Sequence, residues 1–297
     1  MFYKEKLENF LKEKKEEKKV IVIYGPTACW KTASSIDIAK KLDTEIISTD
    51  SRQIFRYMDI WTAKIKEEEK ELIQHHMIDI INPDESYSVA EFFNESIKIM
   101  QDLWSKWKIP ILCGWTGLYI DSLIYDFSIP KVKENKELRE SLEQEAKKYG
   151  NEYVYDKLVK LDPDYAKTLH PNNLRYIIRA IEVKTMTWLA KSKFVKEKEL
   201  KYDTLFINPY FWDRKTLYER IDKRVFMMLD EWLVEEVKKL LKMWYKDTDF
   251  WLKTIWYKEI ISYLKNEITL DEAISQIQQN SRNYAKRQIT WFKRYEK

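Results

Sequence analysis

A short apolar segment that enters a Gly-Pro turn and then a helix constrains this chain more than any other feature. Val20–Tyr24 is an apolar, β-branched run that predicts a buried strand, and Lys31–Lys41 shows helical spacing. The segment that joins them has the frame G-x-x-x-x-G-K-[ST] of a phosphate-binding loop, with Trp30 in the place of the second glycine. The predicted diphosphate-binding residues are Gly25, Pro26, Thr27, Ala28, Cys29, Trp30, Lys31 and Thr32, and Thr32 is the predicted ligand of Mg²⁺.

This phosphate loop, Gly25–Thr32, predicts a specific chemistry. Backbone N–H groups and the helix N-terminus bind phosphate oxygens, Lys31 adds a positive charge, and the Thr32 hydroxyl ligates the metal. A chance strand-turn-helix is the alternative, and the frame by itself does not decide which reaction is catalysed. Trp30 is unexpected, because this position requires an unhindered backbone close to the phosphates, which glycine provides.

Further strands alternate with helices along the chain. Glu45–Thr49, Ile109–Cys113 and Thr204–Asn208 read as strands, and Val89–Trp107 reads as a helix. This alternation predicts an α/β fold with a P-loop NTPase-like parallel sheet, flanked by helices, and a site at the carboxyl ends of the strands. The predicted organisation is a charged lead-in at 1–19, a catalytic core at 20–126 and 201–297 that ends in basic helices, and an inserted helical domain at 127–200.

Composition narrows the possible partners and the compartment. The 53 Lys and Arg against 49 Asp and Glu leave a net charge of +4, so any nucleic-acid binding must come from local basic patches. Two cysteines form no disulfide framework, and the chain shows neither a signal peptide nor an apolar run of membrane-spanning length. We therefore expect a cytoplasmic protein with no membrane segment. We also predict a monomer.

Asp50 is the first acidic candidate for catalysis. It follows the second predicted strand directly, so its carboxylate should face the same pocket as the phosphate loop, where it could act as a general base or bind an amine. The alternative is a helix N-cap, because Asp-Ser is a common helix start.

Six ordered blocks of the sequence match one known set of motifs. Besides the phosphate loop, they are Asp50–Lys64, Gly114–Tyr119, His170–Arg175 with Arg179–Glu182, Arg220–Arg224 with Met228–Leu229, and Ala285–Trp291. They resemble the motifs D-S-x-Q-x-Y-x-x-M-D-I-G-T-A-K, G-G-T-x-L-Y, H-P-N-[ND]…R-A-x-E, R-[IV]-[DE]-x-R…M-L and A-K-R-Q-x-T-W of the tRNA dimethylallyltransferases. The resemblance covers nearly the whole chain.

The resemblance implies a reaction, its cofactor and its partners. A dimethylallyl group would move from dimethylallyl diphosphate to N6 of the adenosine 3′ to the anticodon of a tRNA, with Mg²⁺ as cofactor. Asp50 would engage the N6 amine as base, Thr116 would help to place the adenosine, and Arg224 would be a second cation on the leaving group. The base would be flipped from the anticodon stem-loop, which the helical insertion would grip. The implied tRNA-binding residues are Asp50, Ser51, Arg52, Gln53, Thr116, Arg139, Arg175, Arg179, Arg282, Lys286, Arg287 and Gln288.

Two rival functions share parts of this pattern. A P-loop kinase for a small molecule shares the loop and Mg²⁺, but Ile109–Cys113 ends in Cys-Gly rather than in a Walker-B-like aspartate, and phosphoryl transfer leaves the Asp50 block unexplained. A non-enzymatic or inactive RNA-binding relative would need the cationic C-terminus, but neither the phosphate loop nor Asp50.

Tryptophan occupies positions where the resembled motifs have glycine. The chain has 12 Trp and 4 Gly, whereas glycine averages about 7% of globular chains. Trp291 matches a family tryptophan. The glycine positions of the motifs hold Trp30, Trp61, Trp115, Trp232 and Trp256, and Trp107, Trp188, Trp244 and Trp251 fall in turn-like or helix-end contexts where glycine also fits. We hypothesise that a codon read as glycine in the source organism is translated here as tryptophan; the alternative is an inactivated family member.

Overall fold

The fold is described from a computed structural model of the chain. It describes residues 3–13, 18–125, 134–188, 190–194, 199–210, 213–243, 245–246, 252 and 254–296. Trp244 and Trp251, which the sequence places in glycine-like contexts, lie outside the described residues, as does the predicted boundary at 126–127.

Helices and strands alternate through the first half of the chain, and helices dominate the second half. The strands are β1 (Lys19–Ile23), β2 (Ile46–Ser48), β3 (His75–His76), β4 (Ile111–Cys113) and β5 (Asp203–Ile207). The helices are α1 (Lys4–Lys12), α2 (Lys31–Leu42), α3 (Glu67–Leu72), α4 (Val89–Ser105), α5 (Gly117–Ile124), α6 (Lys136–Tyr149), α7 (Asn151–Leu161), α8 (Pro163–Ala166), α9 (Leu174–Thr187), α10 (Arg214–Asp230), α11 (Leu233–Lys242), α12 (Tyr257–Leu264) and α13 (Leu270–Phe292).

The five strands form one parallel sheet in the order β3-β2-β4-β1-β5. Ile21 in β1 pairs with Ile111 of β4 on one side and with Leu205 of β5 on the other. The central strands are apolar on both faces, as parallel strands covered by helices must be. The predicted α/β class with a parallel sheet is therefore confirmed. All these strands end at one edge, so the segments that follow β1, β2 and β4 meet there.

The chain divides into two compact units, Met1–Ile124 with Leu200–Lys297, and Tyr125–Glu199. The first unit contains the sheet and helices α10 to α13. The second contains α6 to α9, which pack around a core that includes Leu142, Val154 and Leu158.

The N-terminal helix differs from the exposed lead-in that its Lys/Glu content predicts. In α1, Leu7 and Phe10 are buried against the core of the sheet together with Tyr3, whose hydroxyl donates to Asp37 Oδ2 at 2.7 Å. The i, i+3 spacing of these apolar residues puts them on one face, and the charged residues cover the other face. The segment therefore belongs to the packed unit. Among the residues that the structure describes, no helix is both long and apolar enough to cross a membrane.

Five tryptophans have backbone conformations that side chains disfavour. Trp30, Trp107, Trp188, Trp232 and Trp256 have φ angles between 60° and 86°, at the start or just past the end of a helix. Such a conformation costs about 1–2 kcal/mol for a residue with a Cβ. Five of them would add up to a large part of the ~5–15 kcal/mol by which a folded protein is stable.

One buried carboxylate organises the charges of the second unit. The Glu182 side chain is fully buried and accepts hydrogen bonds from Arg139 Nε and Nη2 at 2.9 Å, from Asn135 N at 2.8 Å and from Arg179. Burial alone would raise the pKa of this carboxyl, but the hydrogen bonds and positive charge of these partners outweigh it and hold the pKa below its ordinary value. Glu182 therefore stays ionised and joins α9 to the start of α6.

We expect Glu182→Ala to destabilise the second unit by about 3–5 kcal/mol, because both arginines lose a buried anionic partner. A lowered carboxyl pKa contributes stability above the unfolded value of 4.5, and this stability is lost as the pH falls through the folded pKa. Glu182→Gln should therefore be less stable at neutral pH and lose less on acidification. Hydrogen exchange of the α9 amides across pH measures both effects. The exposed Glu140 on α6 is the matched control, and an equal effect of Glu140→Ala would contradict this account.

Candidate active site

The phosphate loop joins the carboxyl end of β1 to the first turn of α2. Gly25 has a φ of 144°, and a Cβ there would come within 2.9 Å of Asn208 Oδ1 and of Cys29 Sγ, so this bend requires glycine. Ala28 and Trp30 both adopt left-handed backbone conformations, with φ at 62°. The loop therefore winds around the N-terminus of α2, where such loops bind phosphate oxygens.

Lys31 and Thr32 open helix α2, as the motif predicts. Lys31 Nζ donates to the carbonyl oxygen of Pro26 at 2.7 Å and lies 3.8 Å from Cys29 Sγ. Its ammonium group is thus folded over the loop, and it adds to the positive end of the helix dipole.

Helix α10 presents two arginines to the phosphate loop. Arg224 Nη1 donates to Thr27 Oγ1 at 2.6 Å, and Arg220 Nε donates to the Ala28 carbonyl at 3.0 Å. The Arg220 guanidinium also lies 4.5 Å from the centre of the Trp30 ring. Because the two arginines are four residues apart, they lie on one face of the helix. The loop is therefore held by side chains that come almost two hundred positions later in the sequence.

Asp50 lies where β2 ends, beside the end of β4. The two strand ends approach so closely at Gly114 that a Cβ there would lie 2.4 Å from Thr49 Oγ1. Asp50 is almost fully buried: its Oδ1 accepts from Arg52 N at 2.8 Å, and its Oδ2 accepts from the indole N–H of Trp115. The N-cap alternative is wrong, because residues 51–54 form turns rather than a helix, and the Arg52 contact is that of an Asx turn. Oδ2 is turned towards Trp115, which lines the pocket.

Burial raises the pKa of Asp50, although the hydrogen bonds from Arg52 and Trp115 and the charges of Arg52 and Lys31 oppose the effect. Burial also lowers the pKa of Arg224, and the Asp50 carboxylate opposes that change. A carboxylate whose charge is disfavoured holds a proton more readily than an exposed one, which suits proton transfer.

These groups border a cavity of about 340 Å³. Of the predicted site residues, six line this cavity: Thr27, Asp50, Arg52, Arg224, Arg287 and Gln288. The remaining lining residues are Trp61, Thr62, Trp115, Ile221, Thr254, Ile255, Trp256, Lys258, Ser281 and Tyr284. Phosphate-binding groups and a buried carboxylate thus share one cavity with cationic and aromatic side chains.

Two predicted acceptor-site residues connect loops within the protein. Thr116 Oγ1 accepts from Ser51 N at 3.0 Å, which ties the end of β4 to the end of β2. Gln53 accepts from Ser48 Oγ at 2.9 Å and donates to the carbonyl oxygens of Thr62 and Ala63. Both side chains shape the segment after β2, and their contact with RNA stays a prediction.

The predicted tRNA-binding cations differ in their surroundings. Arg139 and Arg179 are paired with Glu182, and Arg282 Nη1 contacts both carboxylate oxygens of Asp222, at 2.6 and 2.7 Å. A second group, on the surface of α9 and α13, is exposed to solvent: Arg175, Lys286 and Arg287. The exposed set is better placed to meet a polyanion, because its charges are not committed to a buried carboxylate.

Two residues of the site were not assigned a role from the sequence. Arg220 belongs to a matched motif, and its i, i+4 spacing from Arg224 was the signal that both face the loop. Tyr284 lines the cavity and packs edge-on against Trp115, with the ring centres 5.1 Å apart. It lies within the basic stretch near the C-terminus, where an aromatic residue between cations was the signal.

Comparison with known proteins gives the same picture. A tRNA dimethylallyltransferase of Alkaliphilus oremlandii is 49% identical over 282 residues, which cover 94% of this chain and 90% of that protein. A tRNA dimethylallyltransferase of Acetivibrio thermocellus is 48% identical over 279 residues, 93% of this chain and 89% of that protein.

Solved structures agree with the sequence comparison. A tRNA isopentenylpyrophosphate transferase from Staphylococcus epidermidis matches with a TM-score of 0.67 at 40% identity, over 93% of this chain and 90% of that one. A eukaryotic dimethylallyltransferase, described as acting on tRNA, matches with a TM-score of 0.80 at 31% identity, over 93% of this chain and 70% of that one. The resemblance found in the motifs is thereby confirmed. Because the family model for IPP transferase also matches residues 53–295, the chain belongs to the IPP transferase family.

Proposed function

We propose that this protein transfers the dimethylallyl group of dimethylallyl diphosphate to N6 of the adenosine 3′ to the anticodon in tRNA, giving N6-isopentenyladenosine and diphosphate. The observation that carries the proposal is the cavity in which a buried carboxylate, Asp50, faces the same space as the phosphate loop and Arg224. Prenyl transfer to an amine needs both: cations for the leaving diphosphate and a base for the amine proton.

The phosphate loop side of the cavity suits the leaving group. When the allylic C–O bond breaks, negative charge builds up on the diphosphate, and positive groups already in place stabilise it most. Lys31 and Arg224 supply two such charges, and the start of α2 adds backbone N–H groups. The carbon–oxygen electron pair leaves with the diphosphate while the N6 lone pair forms the new bond to the allylic carbon.

The Asp50 side suits the acceptor base. The Trp115 indole is a planar bicycle, like a purine, and its N–H donates to Asp50 Oδ2. An adenine N6 amine has the same donor character, so it can make the same contact when the indole is not there. Asp50 would then accept the proton that the amine loses as the N–C bond forms.

Thr32 is the residue that would hold Mg²⁺. It opens helix α2 in the motif position of the metal ligand, and a hydroxyl is the kind of hard oxygen donor that this ion prefers. Mg²⁺ usually keeps several waters and takes its other ligands from substrate phosphates, so one protein oxygen fits this role. The ion would supply positive charge that neutralises the diphosphate.

The tRNA partner is supported by the relatives and by the exposed cations. The relatives named above are transferases of tRNA. Chemistry on a base requires the base to leave its stack, and an anticodon loop allows this at low cost. Lys286 and Arg287 are exposed on α13, and Arg287 borders the cavity. We therefore propose that α13 binds phosphates of the anticodon stem-loop through Lys286 and Arg287; RNA contact by the exposed Arg175 stays a prediction.

A direct assay tests the proposal. The chain as written and a five-glycine variant, with glycine at 30, 61, 115, 232 and 256, are each incubated with dimethylallyl diphosphate, Mg²⁺ and an unmodified anticodon stem-loop. Mass spectrometry of the digested RNA should then show prenylated adenosine in the variant. Stem-loop binding without any product, for several tRNAs, would favour a non-catalytic RNA-binding role. Phosphoryl transfer from ATP to a small molecule would favour the kinase.

A further inference from the structure

Five tryptophans occupy backbone positions that belong to glycine. Trp30, Trp107, Trp188, Trp232 and Trp256 account for five of the nine tryptophans in the described ranges, and all five have positive φ. Positive φ is uncommon for any residue with a Cβ, and for a bulky one it is an outlier. Trp107, Trp188 and Trp232 follow helix ends, where a positive φ strongly favours glycine.

For three of the five, the side chain gives no reason for the strain. Trp107, Trp188 and Trp232 are 96%, 84% and 68% exposed, so their indoles lie mostly in water. Trp104 and Trp291 behave differently: both lie within helices, where Trp104 Nε1 donates to the Lys19 carbonyl at 2.9 Å and Trp291 packs under the Arg294 guanidinium. Trp107, Trp188 and Trp232 thus combine a glycine-like backbone with an indole in water, whereas Trp104 and Trp291 combine a helical backbone with side-chain partners.

We infer that the protein made in its source organism carries glycine at positions 30, 107, 188, 232 and 256, because one codon of the gene is read there as glycine and is rendered as tryptophan in this sequence. Trp291 would come from a different codon. The same reading explains why the chain has 4 glycines in 297 residues.

Glycine in place of tryptophan changes the lining of the cavity. The indole of Trp256 leaves the lining of the cavity, and if the codon at 61 and 115 is the same one, the indoles of Trp61 and Trp115 leave it as well. Asp50 Oδ2 then loses its indole partner and is available to an acceptor amine. At position 30 the phosphate loop would regain the glycine that its frame requires.

Two experiments test the inference without relying on activity. Sequencing the gene should show one shared codon at positions 30, 107, 188, 232 and 256, and a different codon at 291. Tandem mass spectrometry of peptides from the native protein should show a glycine mass at each of those five positions and a tryptophan mass at 291. Tryptophan masses at the five positions would overturn it.

Thermal unfolding of recombinant variants is the second test. Replacing Trp107, Trp188 and Trp232 together by glycine should raise the midpoint by on the order of 5 °C, because glycine adopts positive φ without strain. The matched alanine variant removes the same indoles but keeps a Cβ, and it should gain less. Trp104→Gly should lower the midpoint. A glycine variant no more stable than the alanine variant would count against the inference.

A different observation concerns Gln288, which the sequence groups with the tRNA-binding cations. The buried stripe of α13 runs through Ala273, Ile277, Ser281, Ala285, Gln288 and Phe292. Gln288 is therefore a polar residue on the packed face, 5% exposed, whereas its neighbours Lys286 and Arg287 face solvent. Its Oε1 accepts from the backbone N–H of Thr27 at 3.0 Å.

The geometry points to Gln288 as a positioning residue of the phosphate loop rather than an RNA contact. Side chains from two helices bind Thr27. Gln288 accepts a hydrogen bond from its backbone N–H, and Arg224 donates one to its hydroxyl oxygen. The two helices are themselves joined by Arg282 and Asp222. This assignment rests on the proposed function only in naming diphosphate as the ligand.

Binding measurements on the five-glycine variant separate the two roles. Gln288→Leu should weaken the binding of inorganic diphosphate about tenfold, because the loop loses one of its two anchors, and leave stem-loop binding within a factor of about two. Gln288→Glu keeps the acceptor oxygen but adds negative charge beside the anion site, so it should also weaken the binding of diphosphate. Lys286→Ala should do the reverse: it should weaken stem-loop binding and leave diphosphate binding unchanged. Stem-loop binding that falls in Gln288→Leu while diphosphate binding does not would overturn the assignment. Because neither measurement needs turnover, a failure here is distinct from a failure of the proposed reaction.

Discussion

Asp50→Asn in the five-glycine variant should reduce the single-turnover rate of prenyl transfer by about 10²–10⁴-fold, the usual contribution of a positioned base. Asparagine is the informative replacement because its Oδ1 can still accept the hydrogen bond that Asp50 Oδ1 now accepts from the Arg52 backbone N–H. The loop after β2 should therefore keep its shape while the proton acceptor is lost. Rapid-quench measurement with prebound stem-loop isolates this chemical step from binding.

The same variant should be as stable as its parent or more stable at neutral pH. Burial raises the pKa of Asp50 above its unfolded value of 3.8. A raised carboxyl pKa contributes stability below the unfolded value, and this contribution is lost as the pH rises through the folded pKa. Asparagine does not ionise, so the difference in unfolding temperature should shrink on acidification. A stable Asp50→Asn variant with unchanged rate would remove Asp50 from the mechanism.

Arg224→Met should have the second large effect, a loss of about 10²–10³-fold in the transfer rate, comparable to the loss of one preorganised donor to a developing anion. Its guanidinium lies in the cavity beside the phosphate loop and bonds to Thr27 Oγ1. Diphosphate binding should also weaken, whereas stem-loop binding should not. Steady-state kinetics with each substrate varied in turn measures the two contributions.

Two companions make the Arg224 result specific. Arg224→Lys keeps a positive charge but not the forked geometry, so it should recover part of the rate. Arg214→Met removes an exposed arginine from the first turn of the same helix and should change the rate little. If Arg224→Met and Arg214→Met behave alike, the charge at 224 has no special role.

The parallel sheet could be predicted from the sequence because its strands are short apolar runs that end in polar or glycine-containing turns. β3 could not, since two histidines carry no periodicity. It forms because Ile46 and Ile47 of β2 offer a free edge on which His75 and His76 pair. Local pattern thus predicts strands that carry an apolar run, including the edge strand β5, whereas the two-residue β3 depends on its neighbour.

The site shows the same division. Asp50 and Arg224 could be found because motifs place them at strand and helix positions that face the loop. The resemblance assigns Arg179 to the tRNA contacts, and the structure pairs it with Glu182, three residues later on the same helix. Gln288 was grouped with its cationic neighbours because the phase of α13 decides which side is buried, and that phase is set by packing against α10 and α12.

The hydrogen bonds from α10 and α13 to Thr27 also affect when the active site forms during folding. The contact between Thr27 and Gln288 spans 261 positions, and the contact between Thr27 and Arg224 spans 197. Contacts this distant in sequence form late and slow folding. During synthesis from the N-terminus, the phosphate loop is made first, Arg224 follows much later, and the second partner of Thr27 is missing until residue 288 has been added. A nascent chain should therefore be unable to hold its prenyl donor, and the anion site should be the last part of the molecule to mature.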